Sequence, residues 1–480
     1  MRFLHPEDEH KELTYDDVFL MPNYSDATSR MDADLTPVDG LGTTIPVIVA
    51  NMTAVAGKRM AETVARRGGL VVLPQDMSLE RIGEIIAYVK SRHPIFETPV
   101  VLREDQSLQT ALNILYKRSH GAAMIVNDDN KPVGIFTEKD ALERDRFTQL
   151  REAMSRDMIT MPDTASPEQI FAAIKERRVT VMPIIKNNGE LAGVLTAQGA
   201  LRATMYKPAR NAQGEFLTAV AVGVNQDIEH NIPALLAQGV DIIVLDTAHG
   251  HQKKMIDAVR AARAILGPHR PLVAGNVVSE EATRDLIIAG ANIIKVGVGP
   301  GAMCITRMMT GMGRPQFSAV RACARVARSM GAHVWADGNI KQPRDVALAL
   351  AAGASSAFFG SWFAGTYESP ADIQRDERGR LYKENFGMAS TRAVTARTRG
   401  EDAFGAARKQ FFEEGISSSK MYLKRGEESA EDIIDKITAG LRSACTYAGA
   451  RALEIFHQNA VVGVNTTAGF LEGKPWTESW

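Results

Sequence analysis

The sequence predicts an α/β protein: a (β/α)8 TIM barrel interrupted by an inserted domain. Three observations carry this. From about Glu215 onward, short β-branched runs alternate with amphipathic helical stretches, the pattern of parallel strands covered on both faces. Polar and glycine residues collect where these runs end, as in barrels whose function sits at the carboxyl ends of the strands. A stretch from about Ile95 to Tyr206 breaks the rhythm and repeats itself internally.

In order, Leu217 to Val224, Ile242 to Leu245, Leu272 to Ala274, Ile293 to Val296, Val334 to Ala336 and Ala357 to Phe359 read as buried strands. Glu280 to Ala289 and Arg344 to Ala352 read as amphipathic helices between them. The strand ends carry Asp246, Gly275-Asn276, Gly299-Pro300-Gly301, Asp337-Gly338 and Gly360-Ser361. A doubly wound sheet is the alternative, but the run of consecutive βα units favours the barrel.

Within the interruption, Val133-Gly134-Ile135-Phe136-Thr137 is echoed by Ala192-Gly193-Val194-Leu195-Thr196. Each copy follows a polar turn, Asp128 to Lys131 or Asn187 to Glu190, and a short strand. The expected domains are a barrel from residues 1–94 and 207–480 and a duplicated insert over 95–206, with repeats at about 95–148 and 153–206.

The chain has 480 residues, 56 basic and 57 acidic side chains and a net charge of −1, which gives no support for a nucleic-acid or membrane-surface partner. Three cysteines, Cys304, Cys323 and Cys445, form neither a disulfide framework nor a metal-ligand spacing. The amino terminus lacks the apolar core of a signal peptide, and no run of about 18 apolar residues could span a membrane. A cytoplasmic protein with reduced thiols is expected.

The chemistry concentrates in Gly297 to Gln316, GVGPGAMCITRMMTGMGRPQ. Cys304 follows a glycine-rich turn directly after the strand Ala291 to Val296, so it is presented to a cleft; the bland reading is a buried small hydrophobe. The segment resembles the active-site loop of the IMP dehydrogenase / GMP reductase family. The resemblance extends through Leu13 to Leu20 (LTYDDVFL), Asp246 to His251 (DTAHGH), Ala274 to Val277, Ala336-Asp337-Gly338, Gly360-Ser361 and Gly387-Met388. The duplicated insert resembles a tandem CBS (Bateman) domain, which the family often carries in a barrel loop.

The resemblance implies that Cys304 adds to the 2-carbon of a purine nucleotide, with Thr306 and Glu414 as a proton relay. It places Asp337 and Gly338 at the ribose, and Gly360, Ser361, Met388 and Ala389 on the substrate, GMP or IMP. Asp246, Asn276 and Gly297 would line the nicotinamide side, for NADPH, or for NAD in a dehydrogenase. The carbonyls of Gly299, Gly301 and Cys304 would hold potassium. In the insert, Thr137 and Asp140 would hold the ribose of ATP or GTP, while the second copy, Thr196 to Gly199, lacks the acid. Tetramers are usual in the family, and CBS pairs can stack them into octamers. Each role has a bland counterpart: glycines that permit a turn, a threonine that caps one, a solvated glutamate, an insert that is only scaffold.

Several positions depart from the family pattern. Asn339, Ala302 and Phe386 stand where glycine, serine and tyrosine are usual, all near the expected phosphate. Thr53 replaces an aspartate and Pro74-Gln75 a His-Lys pair. The connection from Gly387 to Glu414 contains Arg392, Arg397, Arg399 and Arg408 but no tyrosine, so the Arg-Tyr pair by which the family's dehydrogenases activate water is missing. Phe411 and Phe412 would pack this flap. The stretch Leu441 to Ala450 also resembles the reductases. The DTAHGH motif and the insert lean the other way. The expectation is a purine-nucleotide reductase regulated at the insert, with a dehydrogenase and a weakly active nucleotide-sensing paralogue as alternatives.

Overall fold

The computed structural model describes residues 1–397, 404, 407–408 and 414–474. Eight strands close a barrel: Val47–Val49 (β1), Leu70–Leu73 (β2), Ala219–Gly223 (β3), Ile242–Asp246 (β4), Leu272–Val277 (β5), Ile293–Val296 (β6), His333–Asp337 (β7) and Ser356–Phe359 (β8). All neighbours pair in parallel, β8 with β1 and β2 with β3 closing the ring. The six strands expected after Glu215 are present, with ends that agree within three residues; β1 and β2 come from the amino-terminal piece.

Period-two alternation sorts these apolar strands into two cores. Ile48, Leu70, Val72, Ala219, Ala221, Val244 and Val273 fill the barrel interior with Trp335 and Phe358. Val47, Val49, Val71, Val220, Ile243 and Ile294 point outward under the helices. Full burial of each aliphatic side chain contributes roughly 1.5–3 kcal/mol.

Helix ends follow local chemistry. Ser279 accepts the Ala282 N–H to start Glu280–Ala289, and Gly290 ends that helix at φ +120°. Pro343–Ala351 begins with a proline in its first turn and a reciprocal cap between Gln342 and Asp345.

The duplicated segment leaves after helix Leu79–Lys90 and returns before β3, in a connection that leads to the amino end of that strand. Its halves repeat one arrangement. Strands Val100–Leu102, Ala122–Val126 and Pro132–Thr137 form one sheet, with helix Leu108–Leu115 after the first strand. Met161–Pro162, Val181–Ile185 and Leu191–Thr196 form the other, with helix Pro167–Arg177. Met124, Val126, Val181, Leu191 and Val194 pack the sheets together.

A buried ionic network joins this segment to the barrel. Arg67 lies 2.5 Å from Glu97 and 2.6 Å from Glu431, and Glu97 also meets His120 at 2.8 Å. Arg202 pairs with Glu431, Asp432 and Asp435 at 3.2, 2.6 and 2.8 Å. Tyr116 stacks on Tyr367 beyond β8, with ring centroids 6.3 Å apart.

The carboxyl-terminal segment folds onto its own chain: Val461–Val464 pairs with Arg2–Phe3 and Val18–Met21. Among the described residues no helix is long and apolar enough to cross a membrane.

Candidate functional site

The site lies at the carboxyl rim of the barrel. Beyond β6 the chain turns through Gly299 (φ +75°) and Gly301, and the Cys304 N–H donates to the Gly301 carbonyl at 3.0 Å. Cys304 is half-buried, and helix Thr306–Thr310 begins two residues on.

A second part of the chain clamps this loop. Strands Ile373–Arg375, Leu381–Asn385 and Ser419–Tyr422 form an antiparallel sheet that carries Gly387-Met388-Ala389 on one side and residues 414–416 on the other. The Ile305 N–H donates to the Glu414 carbonyl at 2.9 Å, and Ile416 N–H to the Met303 carbonyl at 2.9 Å. On the other side Glu414 N–H reaches the Ala389 carbonyl at 3.1 Å, and Gly387 N–H the Ile416 carbonyl at 2.9 Å. The backbones meet so closely that a Cβ on Gly387 would lie 2.7 Å from the Met303 carbonyl, and one on Gly415 2.9 Å from Ser390 N. The sheet is anchored by Lys383, a fully buried lysine whose Nζ donates to the Tyr367 and Ser369 carbonyls at 3.1 and 2.9 Å. Burial pulls this ammonium down to about 7.

This docking lines up three side chains. Cys304 Sγ donates to Thr306 Oγ1 at 3.1 Å, and Thr306 Oγ1 donates to Glu414 Oε2 at 2.7 Å. Thr306 is buried, so the path runs out of bulk water. A thiol, a hydroxyl and a carboxylate in this order can pass a proton from sulfur to Glu414 and hand it back. Cys323 and Cys445 are different: burial pushes their thiols up to about 11 and about 12.

A second cluster sits on the neighbouring strand ends. Lys295 of β6 is buried, with Nζ 2.8 Å from Asp246 Oδ1 and 2.8 Å from Asp337 Oδ2. Burial opposes its charge, but the two carboxylates outweigh that and raise its pKa. Asn276 Nδ2 donates to the Gly297 carbonyl at 2.6 Å and to Asp337 Oδ2 at 2.9 Å, while Asn51 Nδ2 reaches Asp246 Oδ2 at 2.7 Å. Asn276 Oδ1 is buried with no partner. Gly297 (φ +149°) has no room for a side chain: a Cβ would lie 2.0 Å from the Asp337 carbonyl. Gly338 (φ +99°) presses against Pro300, and Asn339 takes the left-handed conformation at φ +59°.

Beyond β8, Gly360 precedes the short helix Ser361–Ala364 and faces Met52 Sδ, 2.7 Å from where its Cβ would be. Thr53 Oγ1 donates to Asp76 Oδ2 at 2.6 Å and lies 3.6 Å from Met388 Sδ. Arg392 pairs with Glu384 at 2.8 Å and covers the Phe386 ring at 4.5 Å. Arg408 is exposed; Arg399, Phe411, Phe412 and the side chain of Arg397 lie outside the described residues.

The three residues expected to do chemistry are thus brought together, and Asp246, Asn276, Gly297, Asp337 and Gly338 form one connected cluster. Thr137 and Asp140 lie apart in the insert, where Asp140 Oδ2 caps its own turn, accepting from Thr137 N–H at 2.7 Å and Oγ1 at 2.9 Å. Sequence reasoning missed Lys295 and the Thr53–Asp76 pair. The available signal for Lys295 was a lysine inside an otherwise apolar strand.

The family model for the IMP dehydrogenase / GMP reductase domain matches residues 12–476. The GMP reductase of Mycobacterium tuberculosis (strain ATCC 25618 / H37Rv) is 53% identical over 481 residues, covering 100% of each chain. The inosine-5'-monophosphate dehydrogenase of Nitrosopumilus maritimus (strain SCM1) is 34% identical, covering 97% of this chain and 98% of its own. A crystal structure of GMP reductase from Trypanosoma brucei in complex with guanosine 5'-monophosphate superposes with a TM-score of 0.69 at 30% identity, covering 98% of both chains. With a closed parallel barrel and a thiol, hydroxyl and carboxylate aligned on its rim, the chain belongs to the IMP dehydrogenase / GMP reductase family.

Proposed function

We propose that this chain is a GMP reductase, converting GMP and NADPH to IMP, ammonia and NADP. The observation that carries the reading is the Cys304–Thr306–Glu414 path, which can move a proton without any water-activating tyrosine. The greater identity to a reductase, 53% against 34% for a dehydrogenase, supports it over the full length.

Glu414 takes the thiol proton through Thr306, and the Cys304 thiolate adds to C2 of the guanine ring. The relay returns that proton to the 2-amino group. The C2–N bond breaks, and ammonia leaves a thioimidate on Cys304. NADPH, when bound, supplies a hydride to C2. The carbon–sulfur bond then breaks with its electron pair on Cys304, which regains a proton from solvent. In this reading the Asp337 carboxylate, held by Lys295 and Asn276, accepts both ribose hydroxyls, with Gly338 beside it. Gly360 and Ser361 serve the phosphate, and Met388 and Ala389 the base.

The residues present fit a nicotinamide. Asn276 Oδ1 is a buried acceptor without a donor, adjoining Asp246 and Gly297 through the Lys295 cluster. They also fit a potassium ion. Gly299, Gly301 and Cys304 contribute neutral carbonyls on a tight turn, and the Gly301 oxygen keeps one lone pair after accepting from Cys304. The ion would hold this loop in shape.

The insert over 95–206 is read as a tandem CBS domain that binds ATP or GTP and regulates the barrel. A cavity of about 710 Å³ lies on the second repeat, lined by Thr180, Thr196 and Gln198 of the insert and by Tyr367 and Asp432 of the barrel. It therefore touches both parts, on the opposite repeat from Thr137 and Asp140. A GMP reductase of Trypanosoma brucei has been crystallised with guanosine 5'-triphosphate. A cytoplasmic homotetramer, stacking to an octamer, completes the reading.

The test is absorbance at the reduced-nicotinamide band, in potassium, with GMP plus NADPH in one cuvette and IMP plus NAD in the other. Loss of absorbance only in the first is expected. A rise only in the second would make the chain a dehydrogenase, and silence in both with an alkylatable Cys304 would favour the nucleotide-sensing paralogue.

A further inference from the structure

Asp76 is a carboxylate that the proposed chemistry does not use. It follows β2 by three residues and so stands on the same barrel rim as Cys304. Its two oxygens differ. Oδ2 accepts the Thr53 hydroxyl at 2.6 Å, whereas Oδ1 is sealed from solvent and has no hydrogen-bond partner. A carboxylate oxygen buried without a donor loses its hydration and gains nothing in return. The Asp76 side chain is itself only half-buried, so a small rotation would turn this oxygen out to a donor arriving in the cleft.

The surroundings say what kind of donor. The Thr53 hydroxyl that holds Asp76 lies 3.6 Å from Met388 Sδ. Met388 adjoins Ala389, whose carbonyl accepts from Glu414 N–H at 3.1 Å, so Asp76 is linked by contact to the loop that positions the proton relay. On its other side Gln226 Nε2 donates to the Gln75 carbonyl at 2.8 Å, and the Gln75 side chain packs on Gly223, which pairs with Asp246 in β4. Asp76 therefore stands between the rim that carries Met388 and the rim that carries Asp246.

We propose that Asp76, held in place by Thr53, is a specificity-determining residue whose Oδ1 accepts an amide-type N–H from a ligand in the cleft. Two ligands of the proposed reaction offer that group: the N1–H edge of guanine and the carboxamide of nicotinamide. The inference rests on the reductase reading.

Steady-state kinetics on Asp76→Ala, Asp76→Asn and Thr53→Val test it, with melting temperature as the control for folding. Asp76→Ala is expected to raise one KM about tenfold with kcat nearly unchanged. A rise confined to GMP assigns the donor to the purine edge; a rise confined to NADPH assigns it to the carboxamide. Asp76→Asn keeps an oxygen acceptor once its amide nitrogen turns to Thr53, so it should restore most of the affinity, and Thr53→Val should reproduce a weaker form of the defect. Unchanged KM values in Asp76→Ala, equal rises in both, or a loss that tracks the melting temperature would overturn the proposal. If the parent enzyme itself does not oxidise NADPH with GMP, the reductase reading fails and takes this one with it. Parent turnover with an indifferent Asp76→Ala removes only the role of Asp76.

Discussion

Lys295 Nζ lies 2.8 Å from Asp337 Oδ2, inside the barrel rim and away from water. The same ammonium holds Asp246, so one cation fixes two carboxylates whose mutual repulsion would otherwise spread the strand ends. Removing one partner from such a buried group costs about 3–5 kcal/mol. Lys295→Met should lower stability by that order in urea titration and raise the KM for GMP at least tenfold. The double variant with Asp246→Asn should recover part of the stability. A single variant with native stability and KM would show that the cluster is held by other means.

The relay makes a separable prediction. Thr306→Val keeps the shape but removes the hydroxyl, and Glu414→Gln removes the acceptor charge. Each should lower kcat by ~10²–10⁴. Because both act on one proton path, the double variant should be little worse than either alone. Thr306→Ser should retain most activity. Strictly additive losses in single-turnover kinetics would mean that the two residues act independently.

Thiol labelling gives a quick check on the nucleophile. Cys323 and Cys445 are buried, with thiols pushed up to about 11 and about 12 by burial. Cys304 is half-buried on the rim. Native protein treated with iodoacetamide at neutral pH should take up one label, at Cys304, and Cys304→Ala should take up none. Labelling of Cys323 at a comparable rate would contradict the buried environment described for it.

His457 supplies a pH signature of the fold. Burial, with Arg328 nearby, pulls its imidazole down to about 4 from the ordinary 6.5. Between those values the unfolded chain binds a proton that the folded chain refuses. Stability therefore falls as pH drops from 6.5 toward 4 and levels off below. The part due to His457 is on the order of 2–3 kcal/mol by pH 4.5. Urea titrations at pH 7 and 4.5 should show a smaller loss for His457→Gln than for the parent. Parallel losses would place the acid sensitivity elsewhere.

Much of this was legible in the residues because barrel strands announce themselves twice, as apolar runs and as polar rims. Ile293–Val296 carries both marks, a buried run that ends at Gly297. Strands β1 and β2 are three and four residues long and lie far from the other six in sequence, so periodicity alone could not assign them. Glu414 looked like a solvated residue on a polar connection, because its partner Thr306 is 108 positions away in the chain. Lys295 was hidden for the opposite reason: its strand reads as buried, and a buried lysine becomes intelligible only once Asp246 and Asp337 converge on it from two other strands. Of the Thr53–Asp76 pair only Thr53 stands out in the sequence, as a departure from a pattern, since nothing there says that the chain beyond β1 and the chain beyond β2 touch.

The backbone clamp around the cysteine has a consequence of its own. Ile305 and Met303 on the loop bond Glu414 and Ile416 on a separate sheet, and the same residues bond Ala389 and Gly387. Neither half carries a complete proton path. The nucleophile is thus made by docking: a chain in which the barrel has formed but residues 414–416 have not settled would expose a thiol with no base. Chemical competence therefore depends on that docking as well as on the barrel: without it Cys304 has no path to the Glu414 carboxylate.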